Sequence, residues 1–358
     1  MDEARMRILQ MVADGTLSAE EAARLLDALP GSGTLATDAP VEGTTAATGD
    51  GGLEHRLARS FAVDPGGRFV VEADRGSIEV HTSEAQTLDV EVIRTANTRD
   101  PVEAQALFRM VELDFDQQGN DVSVRARVQN EERHGWHGAE RRLRVRFVVT
   151  VPRRYNLDLK TAGGHIEIDD LEGEVRSRTA GGSVHIGHIQ GPVWGKTSGG
   201  DIALAGCVGT ADLKTSGGSI RVGAADGDVV ASTSGGSITI QRVTGRTVAN
   251  TSGGSITVDE ALNTIQAVTS GGSVTAHLAR QPSDHCRLET SGGNVAVYLS
   301  EAVGLDVHAR TSGGQVVTDF PVTVQGELRK TALQAKVNGG GPELIARTSG
   351  GSVYLRKQ

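Results

Sequence analysis

The side chains with the most obvious chemical potential are histidines. His134 and His137 stand three apart in a charged stretch, with Glu131, Glu132 and Arg133 before them and Glu140, Arg141 and Arg142 after. Such a pair ligates a metal when a third ligand approaches, but a solvated hairpin tip between two strands accounts for the same residues, so no metal site is expected. His185 and His188 repeat the spacing across a strand end and a turn. Cys207 and Cys286 lie 79 positions apart, neither a metal spacing nor a disulfide framework, and read as small buried apolar residues. Glycine pairs abound, yet a phosphate cradle needs the loop to open a helix, and here each pair opens a strand. Glycan-cleaving chemistry needs carboxylates or bases converging from neighbouring strands. The outward positions instead read Ser219/Arg221, Ser237/Thr239, Ser255/Thr257 and Ser273/Thr275. Neither catalytic residues nor a cofactor are expected, and the Ser and Thr array suits a solvated sheet face.

Composition explains what must position these residues. The 358 residues include 47 Gly and only 11 aromatics. Aromatic rings anchor most conventional cores, each burying roughly 150 to 250 Å², so one large globular core is excluded. Net charge is −9, and Lys and Arg are scattered along the sequence, which gives phosphate backbones no electrostatic footprint; nucleic acid is not an expected partner. No run of apolar residues is long enough to span a membrane, and the N-terminus has no basic segment followed by an apolar one. The expected location is cytoplasmic, with envelope association or an unrecognised export route as the alternative.

From residue 161 the sequence repeats. T-x-G-G recurs at Thr161, Thr179, Thr197, Thr215, Thr233, Thr251 and Thr269 at intervals of 18, then at Thr290 and Thr311 after intervals of 21, and at Thr348 after 37. A fixed period of this kind predicts a solenoid. Counting from each Thr, the sixth residue is Ile or Val in all ten copies, and the eighth is apolar in all but Thr318. That pattern is a short strand with one outward residue between two inward ones. A second strand runs into the next Thr, and Gly at the thirteenth position (Gly173, Gly191, Gly209, Gly227, Gly245) predicts a turn with positive φ. The fold expected is an all-β, single-stranded β-solenoid, or β-helix, with coils of about 18 residues. Its narrow interior admits Val, Ile, Ala and Thr but few rings. The Thr column is read as structural, its hydroxyls forming an internal ladder. The segments before Thr161 and between Thr318 and Arg347 are expected to cap the sheet edges, which would otherwise invite aggregation.

The chain divides into four parts by this reading. Residues 1–29 predict a small α-helical hairpin. Ile8, Leu9 and Val12 lie in its first helix; Leu25, Leu26 and Leu29 lie in the second, which Ser18 caps with Glu21 three residues on. Helices this short are marginal alone, so the hairpin is expected to associate with a second copy or another protein. Residues 30–52 read as a flexible linker spanning roughly 25 to 30 Å. Residues 53–160 read as an irregular β region with one helix opening at Pro101; it holds seven of the 11 aromatics. Residues 161–358 are the regular solenoid.

The strands around Gly76 to Val80, the segment Phe147 to Pro152 and the T-S-G-G-S-I-T-V repeats together resemble a bacterial adhesin-like family of β-strand-repeat proteins, a domain of unknown function, over about residues 60 to 355. Ile8 to Leu29 is similar to the N-terminal module of LiaX/YvlB-type proteins of the envelope-stress response. The resemblance implies a non-catalytic structural or interaction protein linked to adhesion or envelope homeostasis. A cytoplasmic scaffold polymerising through its ends is the first alternative and a carbohydrate-binding surface the second; in the latter the outward aromatics Trp194, Tyr298 and Tyr354 are not expected to form a column.

Overall fold

The computed structural model describes residues 44–47, 52–129, 142–324 and 329–358. The predicted hairpin with Ile8, Leu9, Val12, Leu25, Leu26 and Leu29, and the His134/His137 stretch, lie outside the described residues. Two sheets, of 16 and 15 strands among the described residues, stack their inward side chains into one continuous core.

Each coil gives one strand to each sheet. In the Thr197 coil, Val193–Lys196 leads through the T-S-G-G corner into Ile202–Val208. Val193 and Ile202 are fully buried, and Lys196 points to solvent. Identical positions pair in parallel from coil to coil, as the sixth residue of each repeat shows: Val184 pairs with Ile202, and Ile202 with Ile220. Every inward residue therefore stacks on its counterpart about 4.8 Å away. Two further strand pairs, Arg68–Ala73 with Ser77–Ser83 and Asp121–Val128 with Leu143–Pro152, continue the stack beyond the Thr161 coil.

Spatial order departs from chain order at both ends. The strands Cys286–Thr290 and Val295–Leu299 pair with Glu343–Thr348 and Val353–Lys357. The Thr311 coil, earlier in sequence, lies outside them. At the other end, Arg68–Ala73 and Ser77–Ser83 sit between the Thr161 coil and the later strands Asp121–Val128 and Leu143–Pro152. The first and last coils in sequence are thus each second from the end in space, so stacking in sequence order fails there.

Antiparallel strands close most of the outer edges. Thr87–Ala96 covers Leu143–Pro152 and is itself covered by Leu53–Ala62, while Val111–Gln118 covers Asp121–Val128. At the far end Ala332–Val337 covers Leu305–Thr311. The expected cap between Thr318 and Arg347 is therefore only partly a cap, since Glu343–Thr348 is a coil strand inside the stack. Within the expected linker, Thr44–Ala47 forms a strand against Leu53–Ala62. An edge strand offers unpaired N–H and C=O groups, which a low-complexity segment satisfies as well as any other.

One helix, Pro101–Arg109, packs beside the antiparallel edge and buries Ala104, Leu107 and Phe108. Asp100 caps it by accepting from Val102 N (2.9 Å). Arg94 Nη1 donates to Phe108 O (2.8 Å), which ties the helix end to the sheet.

Candidate interaction surface

The ten predicted threonines are buried and occupy one column. Their hydroxyls do not bond to one another. Each Thr Oγ1 donates instead to a glycine carbonyl in the adjacent coil, Thr161 to the lone Gly76 and the other nine to the second glycine of a pair: Thr197 to Gly182 (2.7 Å), Thr215 to Gly200 (2.8 Å), Thr233 to Gly218 (2.8 Å). In eight of the ten, the same oxygen accepts from the second glycine of its own corner, as from Gly200 N to Thr197 (3.4 Å). The column follows the spatial order, since Thr348 donates to Gly293 O and Thr311 to Gly351 O. Val would fill the same space but leave that carbonyl unpaired, which is why the position is Thr.

The paired glycines are needed for a different reason from the one the turn signal suggests. A Cβ on the second glycine would meet the carbonyl oxygen of its counterpart: 2.0 Å for Gly182 on Gly164 and 2.1 Å for Gly236 on Gly218. The first glycine is looser, and a Cβ on Gly181 would meet nothing closer than 3.9 Å. Among the glycines of the 18-residue repeats, positive φ occurs at the thirteenth position (Gly173, Gly191, Gly209, Gly227), though not at Gly245, and at none of the paired corner glycines.

A second polar column, which sequence reasoning missed, runs beside the corners. Ser237 N donates to Ser219 Oγ (3.2 Å), Ser255 N to Ser237 Oγ (3.2 Å) and Ser273 N to Ser255 Oγ (3.1 Å). Asp201, Asn294 and Ser352 continue it as acceptors at the same position. Any short side chain with an accepting oxygen serves, so the signal was a polar type at a fixed position. These serines are structural parts of the stack, whereas the threonine series beside them (Thr239, Thr257, Thr275) and the corner serines Ser198, Ser216, Ser234 and Ser252 face outward.

The remaining candidates behave as isolated groups. His188 N and Nδ1 both lie against Asp170 Oδ1 (2.6 and 3.3 Å), and the backbone N–H is the main reason the Asp170 carboxyl is held below its usual range. Among the described residues no group of three His, Cys, Asp or Glu is placed to hold a metal ion. Cys207 and Cys286 are buried and unpaired with each other, and burial pushes each thiol up to about 11.

What the fold does assemble is two outward sheet faces. On one, His277 and Tyr298 stack at 4.3 Å. Tyr354 lies on the adjoining strand, because the last coil inserts next to Val295–Leu299. On the other, the residue preceding each Thr points to solvent, and Lys160, Arg178, Lys196 and Lys214 align on four successive coils. The basic residues that look scattered in sequence are spaced by the period and become a line. Multiples of 18 would have found them; counting charge along the chain could not.

No helix among the described residues is long and apolar enough to cross a membrane. No curated protein matches the chain. Among solved structures, similarity extends to a candidate cell adhesion protein from Clostridium sporogenes (10% identity, 85% of this chain and 100% of that one, TM-score 0.18). It extends also to candidate adhesins from Bacteroides fragilis (12%, 85% and 97%, TM-score 0.28) and Parabacteroides distasonis (13%, 85% and 97%, TM-score 0.40). Residues 3–33 match the model of a SHOCT-like domain. Residues 68–351, which span the coils and their corner columns, match the Toastrack DUF4097 model, and the chain belongs to that family.

Proposed function

We propose that this chain is a non-catalytic, adhesin-like interaction protein that binds through the lateral faces of its solenoid, with residues 1–29 as a tethered association module. The observation that carries the reading is the pair of long parallel faces whose outward side chains repeat in line from coil to coil. Such a face presents a rigid, regularly spaced surface to a partner, and binding to a preorganised surface avoids the cost of ordering it. The hairpin, similar to the LiaX/YvlB-type module, would pair with a second copy or a regulatory partner and place the solenoid in envelope homeostasis.

End-to-end scaffolding has less to work with. Antiparallel strands cover most of the outer edges, and the outermost strand left, Val316–Thr318, already uses Val316 N in a bond to Lys330 O (2.8 Å). A carbohydrate-binding face is the stronger second reading, supported by the stacked His277 and Tyr298 rings and their neighbour Tyr354.

Deleting residues 1–52 tests the association module. Light scattering and crosslinked pull-down are expected to show a lower oligomeric state or loss of a partner; an unchanged assembly and unchanged partners would contradict the module. Cell fractionation with protease shaving tests the location, because adhesion requires surface exposure and a protected internal pool would favour a scaffold.

A further inference from the structure

The line of basic residues on the second face is energetically unusual. Lys160, Arg178, Lys196 and Lys214 occupy paired positions on successive parallel strands. Like charges placed opposite one another on a sheet are destabilising. Acids relieve the two ends, Glu72 at 3.6 Å from Lys160 and Asp212 at 2.9 Å from Lys214. Arg178 and Lys196, in the middle, have no ion-pair partner among the described residues. Farther along the same column Ser232 and Asn250 stand in the equivalent position, so the fold does not require a cation there.

Beside the line, Arg176 lies over the Trp194 ring at 4.8 Å and bonds Glu174 at 2.5 Å. The four cations of the line, with Arg176 and Trp194, line a shallow groove of about 560 Å³. We propose that this groove binds an unbranched anionic polysaccharide, laid along the solenoid axis so that successive acidic groups meet successive coils. The assignment rests on the lateral-face reading and names its ligand class.

The geometry favours this ligand over two other polyanions. Single-stranded nucleic acid is held by exposed aromatic faces on which bases stack, and the one ring here, Trp194, is overlain by Arg176. Duplexes are read by an element that enters a groove, which a flat sheet face lacks. An anionic membrane would meet a strip one column wide, flanked by Asp158 and Asp212. The exposed large apolar side chains among the described residues, Val102 and Val208, lie elsewhere and cannot anchor this face in lipid.

The test uses the purified full chain at low salt with polygalacturonate as the carboxylate probe and phosphorylated mannan as the phosphate probe. Neutral dextran, oligo(dT) and phosphatidylglycerol vesicles are the comparators. Binding to at least one charged polysaccharide, absent with dextran and weakened by added salt, is expected. The R178S/K196N double variant, which borrows residue types from the same column, should melt no lower than wild type, since it relieves like-charge repulsion, and lose about tenfold in affinity. R178K/K196R should retain binding, as should R310S/R347S, which removes charge elsewhere on the same sheet. No binding to either charged polysaccharide, wild-type affinity in R178S/K196N, or tighter binding to oligo(dT) or vesicles would each overturn the assignment. Retention on isolated cell envelopes without polysaccharide binding removes this assignment alone, whereas loss of both removes the lateral-face reading too.

Discussion

At the scale of single residues, stability is concentrated in atoms that composition makes look trivial. Thr215 Oγ1 bonds Gly200 O at 2.8 Å inside the stack. Thr215→Val keeps the shape and orphans a buried carbonyl, which costs about 1 to 3 kcal/mol; Thr215→Ser, which keeps the hydroxyl, should cost less. Paired thermal melts check this, and equal melts for the two variants would contradict it. The glycine pair makes an unequal prediction. Gly182→Ala drives a Cβ to 2.0 Å from Gly164 O, whereas Gly181→Ala meets nothing nearer than 3.9 Å. Overpacking of this kind costs about 1 to 3 kcal/mol or more, so the first variant should melt well below wild type and the second close to it. The cysteine thiols, pushed up to about 11 by burial, should react with a disulfide reagent at neutral pH only after denaturation, because the thiolate is the nucleophile. Rapid reaction of the native protein would show that these sites open.

At the scale of elements, the repeat was legible because Thr, two glycines and two apolar residues return at one interval, and only a strand with one outward residue between two inward ones fits that pattern. The column of acceptors through Ser219, Ser237 and Ser255 was not legible: Ser on a solvated strand needs no explanation, and its role depends on the N–H of the next coil. Nor was the line through Arg178 and Lys196, since each is an ordinary surface residue until the coils are stacked. The end coils were the least legible. Thr348 follows Thr311 after 37 residues, which reads as an insertion before the next coil. Instead Ala332–Val337 folds back antiparallel on Leu305–Thr311, and Glu343–Thr348 enters the gap on the other side of that strand. Truncation before Glu343 should therefore do more than shorten the stack. It removes the only described strands joining the Thr311 coil to the Thr290 coil, so limited proteolysis should cut throughout 305–337 while the earlier coils resist. Resistance of that segment would contradict the inserted arrangement.

At the scale of the whole molecule, the glycine excess and the scarcity of rings have one cause. Coils about 4.8 Å apart leave no room for a Cβ on the second glycine of each corner pair and little for an aromatic inside, and the same spacing turns a periodic sequence into straight lines of outward side chains. Under the proposed function, those lines are the surface that the described residues offer a partner, and the covered outer strands leave the sides for binding. Crosslinking mass spectrometry of the full chain bound to isolated cell envelopes tests this most directly. Lys160, Lys196 and Lys214, on the lateral face, should carry the crosslinks to envelope material. Crosslinks confined to Lys330 and Lys336 at the end of the stack would contradict lateral binding.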